Sequence, residues 1–156
     1  HLVVTSAARR TIAHEAGNEA LGRLIGLAAH FHSESDIGAS IASGSFRTAG
    51  MIVAPCSMRS LAAISTGITD NLLTRAADVQ LKERRRLVLL ARETPLHLGH
   101  LRNMVAVTEM GAVVMPPVPS FYRNPASVDD LVAHIAARAV DLLGLTDAPL
   151  IPEWRG

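Results

Sequence analysis

Four apolar runs divide this chain into strand and helix segments. Residues 51–54 and 87–91 are apolar without interruption, which is typical of strands buried on both faces of a parallel sheet. Residues 1–4 and 112–115 give two further strand segments. Because a helical pattern follows each run, we predict a single α/β domain with a mainly parallel sheet and right-handed crossovers.

The predicted helices are marked by their end residues and by apolar spacing. Thr5 and Ser6 can cap a helix that runs to about residue 16, with Gly17 just beyond it. Ser127 and Asp130 form a capping pattern at the start of the last helix, which we expect to end at residue 144. Further helices are predicted at residues 61–67, 70–79 and 95–110, no clear pattern is found at 18–36, and a Gly-rich loop is predicted at 37–50.

The composition limits the classes of protein that fit. With 156 residues, 49% of them hydrophobic, and a mean hydropathy of +0.26, the chain is long enough for one packed core. Arginine far outnumbers lysine, but aromatic residues make up only 3%, so we expect local anion sites and no nucleic-acid surface. No apolar run approaches the roughly 20 residues that span a membrane. The single cysteine, Cys56, cannot form an internal disulfide and favours a reducing, cytoplasmic location.

Polar side chains follow both buried strands, at the end where ligands bind in an open parallel sheet. After the first strand come Ser57 and Ser60, at a helix start whose backbone N–H groups and dipole favour an anion. An ordinary helix cap explains one of these serines equally well. After the second strand come Arg92 and Glu93, so this exit is charged. We therefore expect a ligand site at this end of the sheet.

Several side chains allow two interpretations. Cys56 is either a nucleophile or a buried thiol. Glu15 lies where the helix dipole disfavours a carboxylate, so it either has a chemical role or is a solvated surface charge. Arg138, beside the apolar stripe of the last helix, either snorkels or binds an anion. Phe121 and Tyr122 either line a ligand site or fix their loop to the core.

Two pairs of histidines raise the possibility of a metal site. His30 and His32 have no cysteine or acidic residue at a zinc-like spacing, which favours solvated side chains. His97 and His100 are three residues apart on a predicted helix, a spacing that two ligands can share, although helix capping or packing explains them as well. We predict no metal site.

Six sequence blocks occur in order along the chain: SGSF (43–46), MIVAPCS (51–57), LLTRAADVQLKERR (72–85), RETPLHLGHLRNM (92–104), GAVVMPPVPSFY (111–122) and SVDDLV (127–132). Their content and spacing resemble the flavin prenyltransferase family, the UbiX group, over the whole chain. The resemblance implies a three-layer, doubly wound, mainly parallel sheet of the Rossmann-like flavoprotein type.

The resemblance also implies a reaction and its partners. Family members transfer a dimethylallyl group from dimethylallyl phosphate to N5 of reduced FMN and then close a ring at C6. The product, prenylated FMN, serves a UbiD-type decarboxylase, and no metal is implied. Family members form trimers packed into dodecamers, so a homo-oligomer with active sites at subunit interfaces is expected.

By the same resemblance, each site residue has an expected role. Arg92 contacts both the flavin and the donor phosphate, and Lys82 completes a cationic cradle that stabilises charge on the leaving phosphate. Glu15 and Glu93 match acidic residues linked to proton handling. The other expected contacts are Ser6, Ser57, Met58, Arg59, Ser60 and Arg75 with FMN, and Tyr122 and Arg138 with dimethylallyl phosphate.

One departure from the family pattern lies at the start of the sequence. Family members begin with a strand and a Gly-Ala-Ser-Gly turn that holds the FMN phosphate, and this sequence, which starts without Met, has neither. That strand is expected in the middle of the sheet, so we predict an upstream segment that pairs with its neighbours. Residues 1–156 are predicted to form one flavin-binding domain, with an arm at residues 145–156 that carries Trp154.

Two other functions stay open at this stage. A flavin-dependent cysteine decarboxylase shares the fold, although the LKERR and FY segments argue against it. A non-catalytic FMN-binding or regulatory subunit is favoured if the chain has no upstream strand. The arginine run at residues 84–86 is interpreted as a surface or a subunit contact.

Overall fold

The computed structural model of the chain describes residues 1–145 and 147–151. Its strands are β1 (Leu2–Val3), β2 (Phe31–His32), β3 (Gly50–Cys56), β4 (Arg86–Ala91) and β5 (Val113–Val114). Its α-helices are α1 (Ser6–Ala16), α2 (Ala20–Leu27), α3 (Met58–Thr66), α4 (Leu72–Lys82), α5 (Leu98–Glu109) and α6 (Val128–Asp141). Two short 3-10 helices, Ser40–Ala42 and Phe121–Arg123, lie in the connections.

The strands pair in parallel throughout the described part of the chain. β3, β4 and β5 form one sheet in that order, with Ile52 opposite Val88, and β1 and β2 form a separate pair. Val3 of β1 and Met51 of β3 both pack against one apolar cluster around Leu72. The predicted parallel α/β architecture is therefore confirmed, with the sheet in two parts.

Strand β4 is buried on both faces. Leu87 and Leu89 are 0% exposed and pack with Leu61 of α3. Val88 points to the opposite face, because side chains alternate along a strand, and it packs with Ala139 of α6. Helices therefore cover both faces of the sheet, which confirms the predicted three layers.

The predicted capped starts of α1 and α6 are confirmed, since local side-chain bonds decide them. The Thr5 hydroxyl accepts the Ala8 N–H at 3.1 Å at the start of α1. Ser127 and Asp130 form a complete capping box at the start of α6, which ends at Asp141, before the predicted residue 144. α4 begins after its Asn71 cap and reaches Lys82, so it extends beyond the predicted residue 79.

The prediction that a helix starts at Pro95 is wrong. Helix α5 begins at Leu98, because the His97 Nδ1 atom accepts the N–H groups of Gly99 at 3.0 Å and His100 at 3.4 Å. Thr94 and Pro95 therefore lie in the loop between β4 and α5. This loop keeps Arg92 and Glu93 at the strand exit, as predicted.

Three elements lie where no regular structure was predicted. α2 and β2 fall within residues 18–36, and a 3-10 helix falls within the predicted loop 37–50. The 3-10 helix is held by packing, since Ile41 and Ala42 are 7% and 8% exposed in the cluster around Leu72. Propensity alone does not predict such short elements, because their stability comes from distant contacts.

The predicted carboxyl-terminal arm is described only as far as residue 151. The Asp141 carboxylate accepts the backbone N–H groups of Leu150 at 2.7 Å and Ile151 at 3.2 Å, which ties this segment to the end of α6. Trp154 lies outside the described residues.

Candidate active site

The exits of β3 and β4 lie side by side at one end of the sheet, which we call the carboxyl edge. Cys56 is paired with Ala91, and the Arg92 N–H donates to the Cys56 carbonyl at 3.3 Å. Helix α3 starts two residues after Cys56. The structure therefore brings the Ser57 turn together with Arg92 and Glu93, as the sequence predicts.

The Ser57 turn is organised by its two serines. The Ser57 hydroxyl accepts the Ser60 N–H at 3.2 Å and donates to the Ser60 hydroxyl at 3.2 Å. The capping interpretation of Ser57 is thus confirmed, and the exposed turn presents the positive end of the α3 dipole at the carboxyl edge. Met58 is partly buried, and exposed Arg59 pairs with Asp70 at 2.5 Å.

Arg92 and Glu93 are both solvent-exposed. The Glu93 carboxylate accepts the Thr94 N–H at 3.0 Å, which holds it against its own loop. The ion pairs within residues 1–145 and 147–151 do not include Arg92. Its guanidinium group is accessible to an anion at this edge.

Ser6 also lies at the carboxyl edge, at the start of α1 after β1. Its backbone N–H donates to the Glu34 carboxylate at 2.8 Å, while Thr5 provides the helix cap. The Glu34 carbonyl accepts the Leu72 N–H at 2.7 Å, so Glu34 joins the starts of α1 and α4. Glu34 was not predicted from the sequence, because no element was predicted between residues 18 and 36.

Lys82 and Arg138 lie towards the opposite end of the sheet, which we call the amino edge. Glu15 and Lys82 are exposed in the last turns of α1 and α4. Arg138 is exposed in the last turn of α6, and this helix ends at the amino edge because Leu143 lies against Gly50 at the start of β3. Six residues of β4 span about 20 Å, so one chain does not bring Lys82 or Arg138 to Arg92.

Arg75 lies in the first half of α4, and Tyr122 lies on the 3-10 helix that follows β5. The Arg75 Nε–H donates to the Ala42 carbonyl at 3.1 Å, and its NH1 atom pairs with Asp78 at 3.3 Å. Tyr122 is 70% exposed and Phe121 67% exposed on the 3-10 helix. This exposure argues against the interpretation that the two rings fix their loop to the core.

The interpretation of Cys56 as a buried thiol is confirmed. Its side chain is 0% exposed, and burial raises the pKa of the Cys56 thiol from 9.0 to about 12. A thiol with that pKa stays protonated near neutral pH, so it lacks the thiolate that a nucleophile requires.

The histidine pairs are explained by packing and capping. His97 caps α5 and stacks on His100 with ring centroids 3.5 Å apart. His1 stacks on His32 at 5.2 Å and contacts His30 at 4.6 Å. Within the described ranges, no group of three or more metal-binding side chains has an arrangement suited to an ion.

Known proteins resemble this chain over its full length. The Flavoprotein family model matches residues 1–140. A flavin prenyltransferase UbiX from Neisseria meningitidis serogroup B is 57% identical over the whole of this chain and 82% of its own length. This chain belongs to the flavin prenyltransferase (UbiX) family. Family membership confirms the predicted Rossmann-like flavoprotein fold and the assignment to this class of enzyme.

Two solved structures of UbiX proteins match the fold closely. AnUbiX (PadA1), described in complex with FMN and dimethylallyl pyrophosphate, has a TM-score of 0.93 and 48% identity, covering all of this chain and 82% of that one. A dodecameric FMN-dependent UbiX-like decarboxylase from Escherichia coli O157:H7 has a TM-score of 0.92 and 48% identity, covering all of this chain and 83% of that one. None of the helices in the described part of our chain is long and apolar enough to cross a membrane.

Proposed function

We propose that this chain transfers a dimethylallyl group from dimethylallyl phosphate to N5 of reduced FMN, with ring closure at C6. The observation that carries the proposal is the match to AnUbiX, which is described in complex with FMN and dimethylallyl pyrophosphate and whose fold has a TM-score of 0.93 with ours. When bound, reduced FMN supplies the nucleophilic atom and accepts the prenyl group. The chain itself must bind both molecules, hold them in line and stabilise the charges that develop.

The carboxyl edge suits a flavin with a phosphate-bearing chain. The α3 N-terminus and its two serine hydroxyls offer hydrogen bonds at the end of a parallel sheet, where such ligands bind. Arg92 adds a cation within the same edge. We assign the FMN contacts to Ser6, Ser57, Met58, Arg59, Ser60, Arg75 and Arg92.

The donor half of the site must stabilise a leaving phosphate. Breaking the allylic C–O bond places negative charge on phosphate oxygens, and Lys82, Arg92 and Arg138 are the cations that we assign to them. In this proposal these fixed cations do the work that a metal ion does elsewhere. Tyr122 binds the donor through its exposed ring and hydroxyl, where an aromatic face shields a cation-like prenyl group without attacking it.

Glu93 and Glu15 are assigned to proton handling. Glu93 lies beside Arg92 at the carboxyl edge and is exposed, so it can exchange a proton with a bound phosphate or with solvent. Glu15 is exposed in the last turn of α1, so it is open to solvent as well.

We infer that a second copy of the chain completes each site. Lys82 and Arg138 lie towards the amino edge and Arg92 at the carboxyl edge, about 20 Å away along β4. If the amino edge of one copy faces the carboxyl edge of the next, both groups meet at one phosphate. A homo-oligomer, a trimer or a dodecamer, provides this arrangement, and the related Escherichia coli protein is dodecameric.

We also propose that a further strand pairs between β1 and β3. In the described residues β1 pairs with β2, β3 pairs with β4, and both contribute to the cluster around Leu72. A parallel strand with the family's Gly-Ala-Ser-Gly turn would join the two parts and bring a phosphate-binding turn to the carboxyl edge. Amide hydrogen exchange tests this proposal. Slow exchange of the β3 N–H groups on the edge away from β4, as well as of those facing β4, supports a further strand. Fast exchange along the edge away from β4 contradicts it.

The test of the activity is an anaerobic incubation with reduced FMN and dimethylallyl phosphate. We expect a flavin with the mass and absorbance of prenylated FMN. A parallel incubation with dimethylallyl pyrophosphate compares the two compounds as donors. Bound but unmodified flavin would instead support a non-catalytic FMN-binding subunit. Release of carbon dioxide from a cysteine-containing peptide with oxidised FMN would support the decarboxylase alternative.

The partner and the location are proposals as well. We propose that the product passes to a UbiD-type decarboxylase in the cytoplasm, where the single thiol of Cys56 stays reduced. The partner is tested by mixing the reaction product with a cofactor-free UbiD-type enzyme and measuring whether its activity is restored. The cytoplasmic location is tested by cell fractionation.

A further inference from the structure

One arginine of the run at residues 84–86 differs from the other two. The Arg85 guanidinium donates to the Gly44 carbonyl at 2.6 Å, the Phe46 carbonyl at 2.8 Å and the Thr48 hydroxyl at 3.4 Å. Arg85 is partly buried, whereas Arg84 and Arg86 are exposed. A guanidinium group carries five donors in a fixed plane, so it can hold several acceptors of one loop at once.

The segment that Arg85 holds is residues 43–48, which we call the clamp loop. The Thr48 hydroxyl also donates to the Gln80 side chain at 2.9 Å, and Gln80 is only 2% exposed. Just before the loop, Arg75 donates to the Ala42 carbonyl at 3.1 Å. The clamp loop is therefore fixed along the carboxyl-terminal half of α4 by polar bonds that cross 32 to 41 residues of sequence.

The clamp loop in turn lies directly against the Lys82 side chain. A Cβ atom added to Gly44 would overlap the Lys82 ammonium nitrogen and the Glu83 carboxylate. Lys82 and Glu83 form an ion pair, and the hydrogen bond and charge of Lys82 lower the pKa of the Glu83 carboxyl. The ion-paired ends of Lys82 and Glu83 thus both lie against the backbone of Gly44.

We propose that Arg85 is a positioning residue for prenyl transfer, which fixes the clamp loop so that Gly44 sets the direction of the Lys82 ammonium group. This inference rests on the proposed function, in which Lys82 binds the donor phosphate of a neighbouring copy. Positioning matters because a displacement of about 1 Å in a group that orients a reacting phosphate costs on the order of 100-fold in rate. Without Arg85 the loop keeps the bond between Thr48 and Gln80 but loses the hydrogen bonds to the Gly44 and Phe46 carbonyls.

The first test compares Arg85→Ala with Arg86→Ala, which removes an exposed neighbour of the same charge. We expect Arg85→Ala to lower kcat/KM for dimethylallyl phosphate on the order of 100-fold, while FMN binding changes less than about twofold. Arg86→Ala should leave both close to wild type. Equal effects of the two substitutions, or a parallel loss of FMN binding, would overturn the proposal.

A double-mutant cycle shows whether Arg85 acts through Lys82. If it does, Lys82→Ala combined with Arg85→Ala has the same kcat/KM as Lys82→Ala alone. Losses that multiply would show that Arg85 acts independently of Lys82. If Lys82→Ala itself leaves the donor kinetics unchanged, the proposed function of Lys82 fails, and that outcome is distinct from failure of the positioning role.

Gly44→Ala provides a second variant that does not depend on Arg85. The atoms that its methyl group meets are the ends of two flexible side chains, so the fold can accommodate it by moving Lys82 and Glu83. We expect an unfolding midpoint close to wild type together with a raised KM for dimethylallyl phosphate. Unchanged donor kinetics in a folded Gly44→Ala protein would overturn the proposal.

Discussion

Lys82 and Arg92 lie at opposite ends of β4, and this separation predicts the result of mixing two inactive variants. The six residues of β4 rise about 20 Å in all, and Lys82 ends the helix that leads into it. One phosphate group cannot bridge that distance, so we expect each site to take the two cations from different copies. Lys82→Ala and Arg92→Ala should each lose about 100-fold or more in activity alone.

The expected recovery follows from random assembly. When the two variants are produced together in equal amounts, a site is intact only if Lys82 comes from the Arg92→Ala copy and Arg92 from the Lys82→Ala copy. At each of the two positions that form a site, about half of the copies are the required variant, so about one quarter of the sites are intact. Different affinity tags isolate the mixed oligomers, and the assay is the rate of prenylated FMN formation per chain.

A matched control separates the composite site from a site within one chain. Wild type mixed equally with the double variant Lys82→Ala/Arg92→Ala should retain about one quarter of full activity if two copies form each site, and about one half if one copy does. No recovery in the first mixture, together with one half in the control, would refute the geometric reasoning.

Three further predictions concern binding, pH and stability. Arg138→Ala should weaken dimethylallyl phosphate binding about tenfold or more and leave FMN binding unchanged. The control Arg102→Ala, at another exposed arginine, should change neither affinity. Ligand titrations in which Arg138→Ala weakens both ligands equally would contradict the assignment. Burial raises the pKa of the Cys56 thiol from 9.0 to about 12, so its contribution to the free energy of unfolding is complete below pH 9 and is lost as the pH rises towards 12. In urea unfolding across this range, the free energy of unfolding should fall less with pH in Cys56→Ala than in wild type. An equal fall in both proteins would contradict the role of Cys56. Leu89 is 0% exposed, so Leu89→Ala should lower the free energy of unfolding by about 3 kcal/mol. Leu27 is 86% exposed, so Leu27→Ala should lower it by less than about 0.5 kcal/mol. Similar losses for the two variants in urea titrations would mean that β4 is not a buried strand.

Local chemistry allowed the sequence to predict much of the fold. The uninterrupted apolar run of residues 87–91 required burial on both faces, and the structure gives β4 that environment. The caps at Thr5, Ser57 and Ser127 were predictable because each is bonded to an N–H only three residues away. Short-range bonds of this kind need no knowledge of the rest of the molecule.

Elements held by distant contacts were not predictable in the same way. Helix α2 has no side-chain cap bond, and the 3-10 helix at Ser40–Ala42 is stabilised by burial of Ile41 against α4. His97 caps α5, which was predicted to start at Pro95. A histidine cap depends on ring orientation, which residue type alone does not specify.

The sequence by itself determined which chemistry the protein carries, because its blocks bring a serine turn, an arginine at a strand exit and a set of cations in the order typical of the flavin prenyltransferases. Only the tertiary structure decided where that chemistry lies. Lys82 and Arg92 are only ten positions apart, but a turn and a whole strand lie between them, so the two charges are held at opposite edges of the sheet. Arg85, in contrast, is 41 residues from Gly44 and is bonded to it. Separation along the chain does not measure separation in space, because a parallel fold carries the chain from one edge of the sheet to the other with each element.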